Sequence, residues 1–189
     1  MFSNYNKWVV LRQFFIDPNS LGQGFQWREL CRLTQLSPKS VLNYLQELIR
    51  EELVVKSKTR STGYPVYFAN RSNERFRFLK KINTIMSISD LQYKKLKKTL
   101  LDYVVSECSP DVVVLFGSAS RGEDLLDSDI DLFVQSKEKE LKNLDFFEKL
   151  LKRKINLFFK SDFNALSSEL KNNIINGNVL YGHINIKFH

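Results

Sequence analysis

The sequence has no apolar run approaching the roughly 18 residues of a membrane-spanning helix, and its first ten residues, MFSNYNKWVV, lack a basic start followed by a long apolar segment. Neither a span nor an export signal is expected, so the chain reads as a cytoplasmic protein with no membrane partner. Cysteine is scarce too. Cys31 and Cys108 lie in unrelated segments with no CxxC or Cys/His grouping, which argues against a disulfide framework and a zinc site and for two free thiols. His183 and His189 have no metal-ligand partner in spacing and read as surface residues. There are no internal repeats and no low-complexity tracts.

What is present is a chain of 189 residues, 43% apolar and with 15 phenylalanines, enough for packed cores in one generous domain or two small ones. Its net charge of +8 is unevenly placed. Residues 1–80 carry 13 Lys/Arg against 6 Asp/Glu, whereas residues 81–189 carry 16 against 15. A local basic excess of that kind favours a polyanionic partner, and nucleic acid is the commonest soluble one.

The apolar spacing of residues 4–16 (NYNKWVVLRQFFI) suits a largely buried helix stopped by Asp17-Pro18-Asn19. A second helix is expected over residues 25–34 (FQWRELCRLT). The third is better marked: Ser37 is a natural N-cap, Pro38 fits the first helical position, and Val41, Leu42, Leu45, Leu48 and Ile49 form one stripe. Residues 53–68 (LVVKSKTRSTGYPVYF) then read as two short strands around a turn at Thr62-Gly63, with Pro65 tolerable only at an edge.

Opposite the apolar stripe, the third helix carries Lys39, Ser40, Asn43, Glu47 and Arg50, and the hairpin adds Lys56, Lys58 and Arg60. The first set offers hydrogen-bonding side chains to a partner, and the second is the kind of cluster that contacts phosphates. With its order of helices and hairpin, the segment 30–70 resembles the winged helix-turn-helix domains of small prokaryotic regulators. That resemblance implies a third helix in the major groove of double-stranded DNA, with Lys39, Ser40 and Asn43 on the bases, and a wing on the backbone.

Residues 71–108 read as a helical connector built on SNERFRFLKKINTIM and SDLQYKKLKKTLLDYVVSEC, with Lys94, Lys95, Lys97 and Lys98 on a solvated face and a break near residues 87–90. From Pro110 onward the pattern is that of a small α/β domain. Strands are expected at 111–116, 129–135 and 154–160, with a helix from about 137 to 151, a closing helix at 164–176, and a last strand at Val179-Leu180-Tyr181.

The chemistry concentrates in residues 115–134, LFGSASRGEDLLDSDIDLFV, which place five acids within nine residues. Strand alternation turns Ile130, Leu132 and Val134 toward a core and Asp129 and Asp131 to the opposite face, about 7 Å apart. Two carboxylates that close repel unless neutralised, and a hard cation is the ordinary resolution. Magnesium fits because one or two carboxylates plus substrate phosphates suffice to hold it. Directly after the first strand, Gly117 allows close backbone approach, and the Ser118 hydroxyl with the following N–H groups can hold phosphate oxygens.

Together, Gly117-Ser118, Arg121-Gly122-Glu123 and Ser128-Asp129-Ile130-Asp131 resemble the signature of the minimal nucleotidyltransferases of the DNA polymerase β superfamily, over residues 111–182. The resemblance implies that Gly117 and Ser118 grip a nucleoside triphosphate and that Asp129 and Asp131 ligate Mg²⁺. Arg121 and Glu123 are then either loop-shaping or phosphate-side residues, or a local ion pair. The family pattern calls for a third carboxylate on a later strand, and the matching position here is Asn156. Asparagine has no charge and cannot act as a general base.

Two functions compete on these grounds. One is a DNA-binding regulator of transcription whose nucleotidyltransferase-like domain binds Mg-nucleotide and transfers little or nothing. The other is an active Mg²⁺-dependent enzyme moving a nucleoside monophosphate to a protein, nucleic acid or small-molecule acceptor. A winged helix that serves only to form a homodimer is a third. The expected organisation is a winged helix-turn-helix domain at 1–70, a connector at 71–108, and an α/β nucleotidyltransferase-like domain with a small mixed sheet and flanking helices at 109–189.

Overall fold

A computed structural model describes residues 5–15, 24–58, 63–89, 98–125, 128–137 and 141–184. By contacts the chain divides into two units, Met1–Lys80 and Lys81–His189. Among the described residues no helix is long and apolar enough to cross a membrane. Both cysteines are free, Cys31 half-buried and Cys108 buried.

The first unit contains helices α1 (Tyr5–Phe15), α2 (Trp27–Thr34) and α3 (Pro38–Arg50), then strands β1 (Val54–Lys58) and β2 (Pro65–Ala69). The Ser37 hydroxyl caps α3 by accepting from the Ser40 N–H, and Pro38 sits in the first turn, where its missing N–H costs nothing. Leu30, Val41, Leu45 and Leu48 are sealed into one core with Trp8, Leu11, Phe14 and Phe15. The strands pair antiparallel from Val54 opposite Ala69 to Lys58 opposite Pro65, so the proline is the first residue of its strand. Phe25 does not open α2 as the sequence pattern suggested. Its N–H and carbonyl each bond Tyr67 at 2.8 Å, which makes it a short bridge on the far edge of β2, and α2 starts two residues later.

The residues 71–108 read as a connector are shared between the two units. Helix α4 (Glu74–Ser89) places Phe76 and Leu79 in the first core, while Ile88 lies in the core of the second unit. The next helix, α5 (Leu100–Cys108), is shorter than the expected run because Thr99 is extended and closes a reciprocal capping box with Asp102. Lys94, Lys95 and Lys97 fall outside the described residues, and Lys98 is paired with Glu107 at 3.8 Å.

The second unit continues with β3 (Val112–Phe116), the short helix α6 (Gly117–Arg121), β4 (Ile130–Gln135), α7 (Asp145–Leu151), β5 (Ile155–Lys160), a 3-10 turn (Phe163–Ala165), α8 (Ser168–Ile175) and β6 (Asn178–Gly182). Helix α7 starts eight residues later than the pattern suggested, because Asn143 has a left-handed backbone (φ 65°) that interrupts any helix before it. The closing helix is likewise split. Leu166 is extended, and the Ser167 hydroxyl caps a fresh start.

The four strands form one mixed sheet in the order β5-β4-β3-β6. β3 is antiparallel to both β4 and β6, and β4 is parallel to β5. One face carries Val113, Leu115, Ile130, Leu132, Val134 and Ile155 into a core with α4, α5 and α7. The other carries Val112, Val114, Phe116 and Phe133 against Phe163, Leu166 and Ile174. Strand order and direction bring the end of β3 and the starts of β4 and β5 to one edge of the sheet, since Phe116 lies opposite Asp131 and Asp131 opposite Asn156.

Candidate functional site

That edge gathers the charged residues singled out in the sequence. Asp129 precedes β4 and Asp131 is its second residue; both are half-buried. Asn156 is the second residue of β5 and lies in register with Asp131. Its amide nitrogen donates to Asp129 Oδ2 at 3.0 Å and to Asp131 Oδ1 at 3.0 Å. The carboxylate pair is thus bridged by one neutral group, each of whose two hydrogens serves one acid. Asn156 occupies the position where a third carboxylate was looked for. Among the described residues no group of three or more His, Cys, Asp or Glu comes together to hold a metal.

Gly117 lies against one of the same carboxylates, that of Asp131. Its φ is 71°, a left-handed conformation costly for any residue with a side chain, and a Cβ there would lie 2.5 Å from Asp131 Oδ2. The backbone therefore approaches the acid more closely than any residue with a side chain permits. Ser118 is half-buried and follows at the start of α6. The buried Ser120 hydroxyl bonds the Gly117 carbonyl at 2.8 Å and locks the turn. Arg121 donates its Nε to Glu123 Oε2 at 2.7 Å, so of the readings open to this pair the structure contains the ion pair. Along β5, Phe158 shares a face with Asn156 and packs edge-on against Phe116 at 5.2 Å between ring centroids.

Arg153 is a residue that sequence reasoning missed. Its Nη1 pairs with Asp124 Oδ2 at 2.8 Å, its Nε donates to the Ser128 carbonyl at 2.7 Å, and its Nη2 to the Asp129 carbonyl at 2.9 Å. The pair is nearly dry, at 12% and 3% exposure. The fork of the guanidinium suits this three-point grip, which clamps the backbone carrying Asp129 to the start of β5. Glu148 adds a second tie. It accepts from the Ile155 N–H at 3.0 Å and from Lys154 Nζ at 3.1 Å, bonds that hold its carboxyl below the usual range. No motif signals Arg153, because its partners lie 24 to 29 residues away.

In the first unit, Lys39 and Asn43 are exposed on α3 in one stripe with Leu42, Gln46 and Arg50. Ser40 is half-buried and engages Ser37 through both its N–H and its hydroxyl. Glu47 faces α1, where it pairs with Lys7 at 3.0 Å, rather than standing with the exposed set. Lys56 and Lys58 are exposed on β1; Arg60 lies outside the described residues, as do Thr62 and His189, while His183 is exposed.

Residues 94–184 match the model of the family described as Polymerase beta, Nucleotidyltransferase. The C-terminal part of the chain is accordingly a nucleotidyltransferase-like domain, and its mixed sheet with flanking helices fits that class. No curated protein and no solved structure matches the chain.

Two substitutions test how this edge is built. Gly117→Ala is expected to cost about 1–3 kcal/mol, and less in an Asp131→Ala background, because only the contact with the carboxylate is relieved there. Urea unfolding of the four proteins measures the coupling, and strictly additive costs would refute the close approach. Arg153→Ala is expected to cost about 3–5 kcal/mol by leaving the Asp124 carboxylate without its buried counter-charge; a loss under about 1 kcal/mol, the usual worth of a surface pair, would refute the clamp.

Proposed function

We propose that this protein is a DNA-binding regulator whose nucleotidyltransferase-like domain binds a magnesium nucleoside triphosphate and transfers its nucleotidyl group weakly or not at all. The observation that carries this reading is the seat of Asn156. In nucleotidyl transfer an acceptor hydroxyl oxygen bonds to the α-phosphorus, the bond from that phosphorus to the bridging oxygen breaks, and pyrophosphate leaves. The acceptor's proton must go to a base near the carboxylates. Asn156 stands in that place and has no basic lone pair to take it.

Binding makes smaller demands. Asp129 Oδ2 and Asp131 Oδ1 converge on one atom and are hard oxygen donors, so the pair fits a magnesium ion. When bound, magnesium would neutralise the phosphates and polarise the phosphoryl group. Gly117 brings the backbone against the same site, Ser118 offers its hydroxyl and N–H to phosphate oxygens, and Arg121 is within the same turn. Arg153 keeps Asp129 in place while this happens.

The regulatory half of the proposal rests on the first unit. Three helices followed by a hairpin is the order of a winged helix-turn-helix, and the exposed stripe of Lys39, Asn43, Gln46 and Arg50 is free of the core. In this reading α3 enters the major groove of double-stranded DNA, with Ser40 at its N-terminal turn, while Lys56, Lys58 and Arg60 contact the phosphates. The basic excess of residues 1–80 supports a polyanionic partner.

A second reading keeps the domain as a working enzyme with a protein, nucleic acid or small-molecule acceptor. What favours it is the close packing of Gly117 on Asp131, which is intact.

Labelled nucleoside triphosphates with Mg²⁺ separate the two. The unmodified protein is expected to label nothing efficiently, while Asn156→Asp is expected to raise transfer by about 10²-fold or more, the usual worth of a positioned base; robust transfer by the unmodified protein would sink the first reading. For DNA, electrophoretic shifts between 50 and 200 mM salt are expected to weaken steeply, and Lys56→Ala with Arg60→Ala to reduce the salt slope by about 1.8. A double variant indistinguishable from the parent would refute the wing contacts.

A further inference from the structure

Asn156 presents a nitrogen, not an oxygen, to the aspartates, and that orientation has a cost for any metal. Both N–H groups of a primary amide are donors, and here both are spent on Asp129 Oδ2 and Asp131 Oδ1 at 3.0 Å each. A divalent cation drawn to those same two oxygens meets the positive end of the amide dipole at the point where they converge. It also requires shorter contacts, since magnesium sits at about 2.0–2.1 Å from its oxygens against 3.0 Å for the amide nitrogen.

We propose that Asn156 is a built-in cation surrogate: it closes the aspartate pair to divalent metal in the nucleotide-free protein, and the site opens when its side-chain amide turns over to present Oδ1. This rests on the reading of Asp129 and Asp131 as a metal seat. The amide and the cation are alternatives, because each takes the place where the same two carboxylate oxygens converge. Rotation about the Cβ–Cγ bond converts the one arrangement into the other without moving the backbone, which the Asp131–Asn156 register and the Arg153 grip hold in place.

The exchange couples metal to nucleotide. A bare cation must displace two charge-assisted hydrogen bonds and gains only two carboxylates and one neutral carbonyl. A cation carried with triphosphate oxygens brings most of its own coordination, so it binds favourably even after the cost of the same rotation. Metal and nucleotide therefore favour each other's binding by a single shared factor. If the open rotamer is populated about one time in ten, the apparent Kd for bare metal is raised about tenfold.

The test is Mn²⁺ binding to the full chain, read by electron paramagnetic resonance without any turnover. The unmodified protein is expected to bind Mn²⁺ alone about tenfold more weakly than Asn156→Ala, and to gain affinity when a non-hydrolysable nucleoside triphosphate analogue is added. Equal Mn²⁺ affinities for the two proteins in the absence of nucleotide would overturn the proposal. A measurement needing no variant accompanies it: the Asn156 side-chain NH₂ resonances are expected to shift on adding Mg²⁺ with the analogue but not with Mg²⁺ alone, and resonances that respond identically to both would overturn it as well. Should Asn156→Ala bind Mn²⁺ more tightly while no nucleotide binds either protein, the nucleotide reading fails and the surrogate role stands.

Discussion

The second unit is organised around one electrostatic constraint, the need to keep the Asp129 and Asp131 carboxylates together on one sheet face without letting them drive each other apart. Two like charges about 7 Å apart repel by about 2 kcal/mol at an effective dielectric constant of 20, a sizeable fraction of a domain's whole stability. Strand alternation puts the acids on the same side, so the repulsion is inherent in the sequence and has to be met by neighbours. The Asn156 amide meets it from β5 with two hydrogen bonds. Gly117 meets a different part of the same constraint by leaving room, since Asp131 Oδ2 lies where a Cβ would otherwise be.

The topology serves this arrangement. An antiparallel β3–β4 pair followed by a parallel β4–β5 pair is what brings one C-terminal and two N-terminal strand ends to the same edge. The parallel step needs a crossover, and α7 supplies it while burying Phe147 against the opposite face. Arg153, at the end of that crossover, then reaches back to Asp124 and to the carbonyls of Ser128 and Asp129. The crossover that makes the sheet parallel thus also fixes the loop that carries the first aspartate.

How much of this could be read from the sequence depended on range. The period of two in residues 129–135 was enough to separate Ile130, Leu132 and Val134 from the acids, and the burial of those three agrees. Ser37 and Pro38 announced the start of α3 correctly, because capping is a local matter. The strand expected at residues 154–160, set beside the family pattern, placed Asn156 next to the aspartates, and it lies in register with Asp131. Features set by tertiary contact were not legible. Phe25 looks like the first residue of a helix until its backbone pairs with Tyr67, and Arg153 is one basic residue in a basic run until its partners are known. Helix breaks at Thr99 and Asn143 were missed for another reason. Both sit inside amphipathic patterns, where a single capping or left-handed residue decides against the surrounding periodicity.

The same electrostatics explain what an asparagine achieves at position 156 that an aspartate does not. A third carboxylate in register with Asp131 would add two further repulsions of the size of the first, and only a bound cation could offset them. A domain built that way depends on metal for the order of its own site. With an amide in the place, the two carboxylates of the nucleotide-free site are held together by its hydrogen bonds rather than by an ion. On the proposed reading, the amide also leaves no third carboxylate to accept a proton from an attacking hydroxyl. On the same proposed reading the site's response to nucleotide is a rotation of one side chain, which is the behaviour required of a sensor more than of a catalyst.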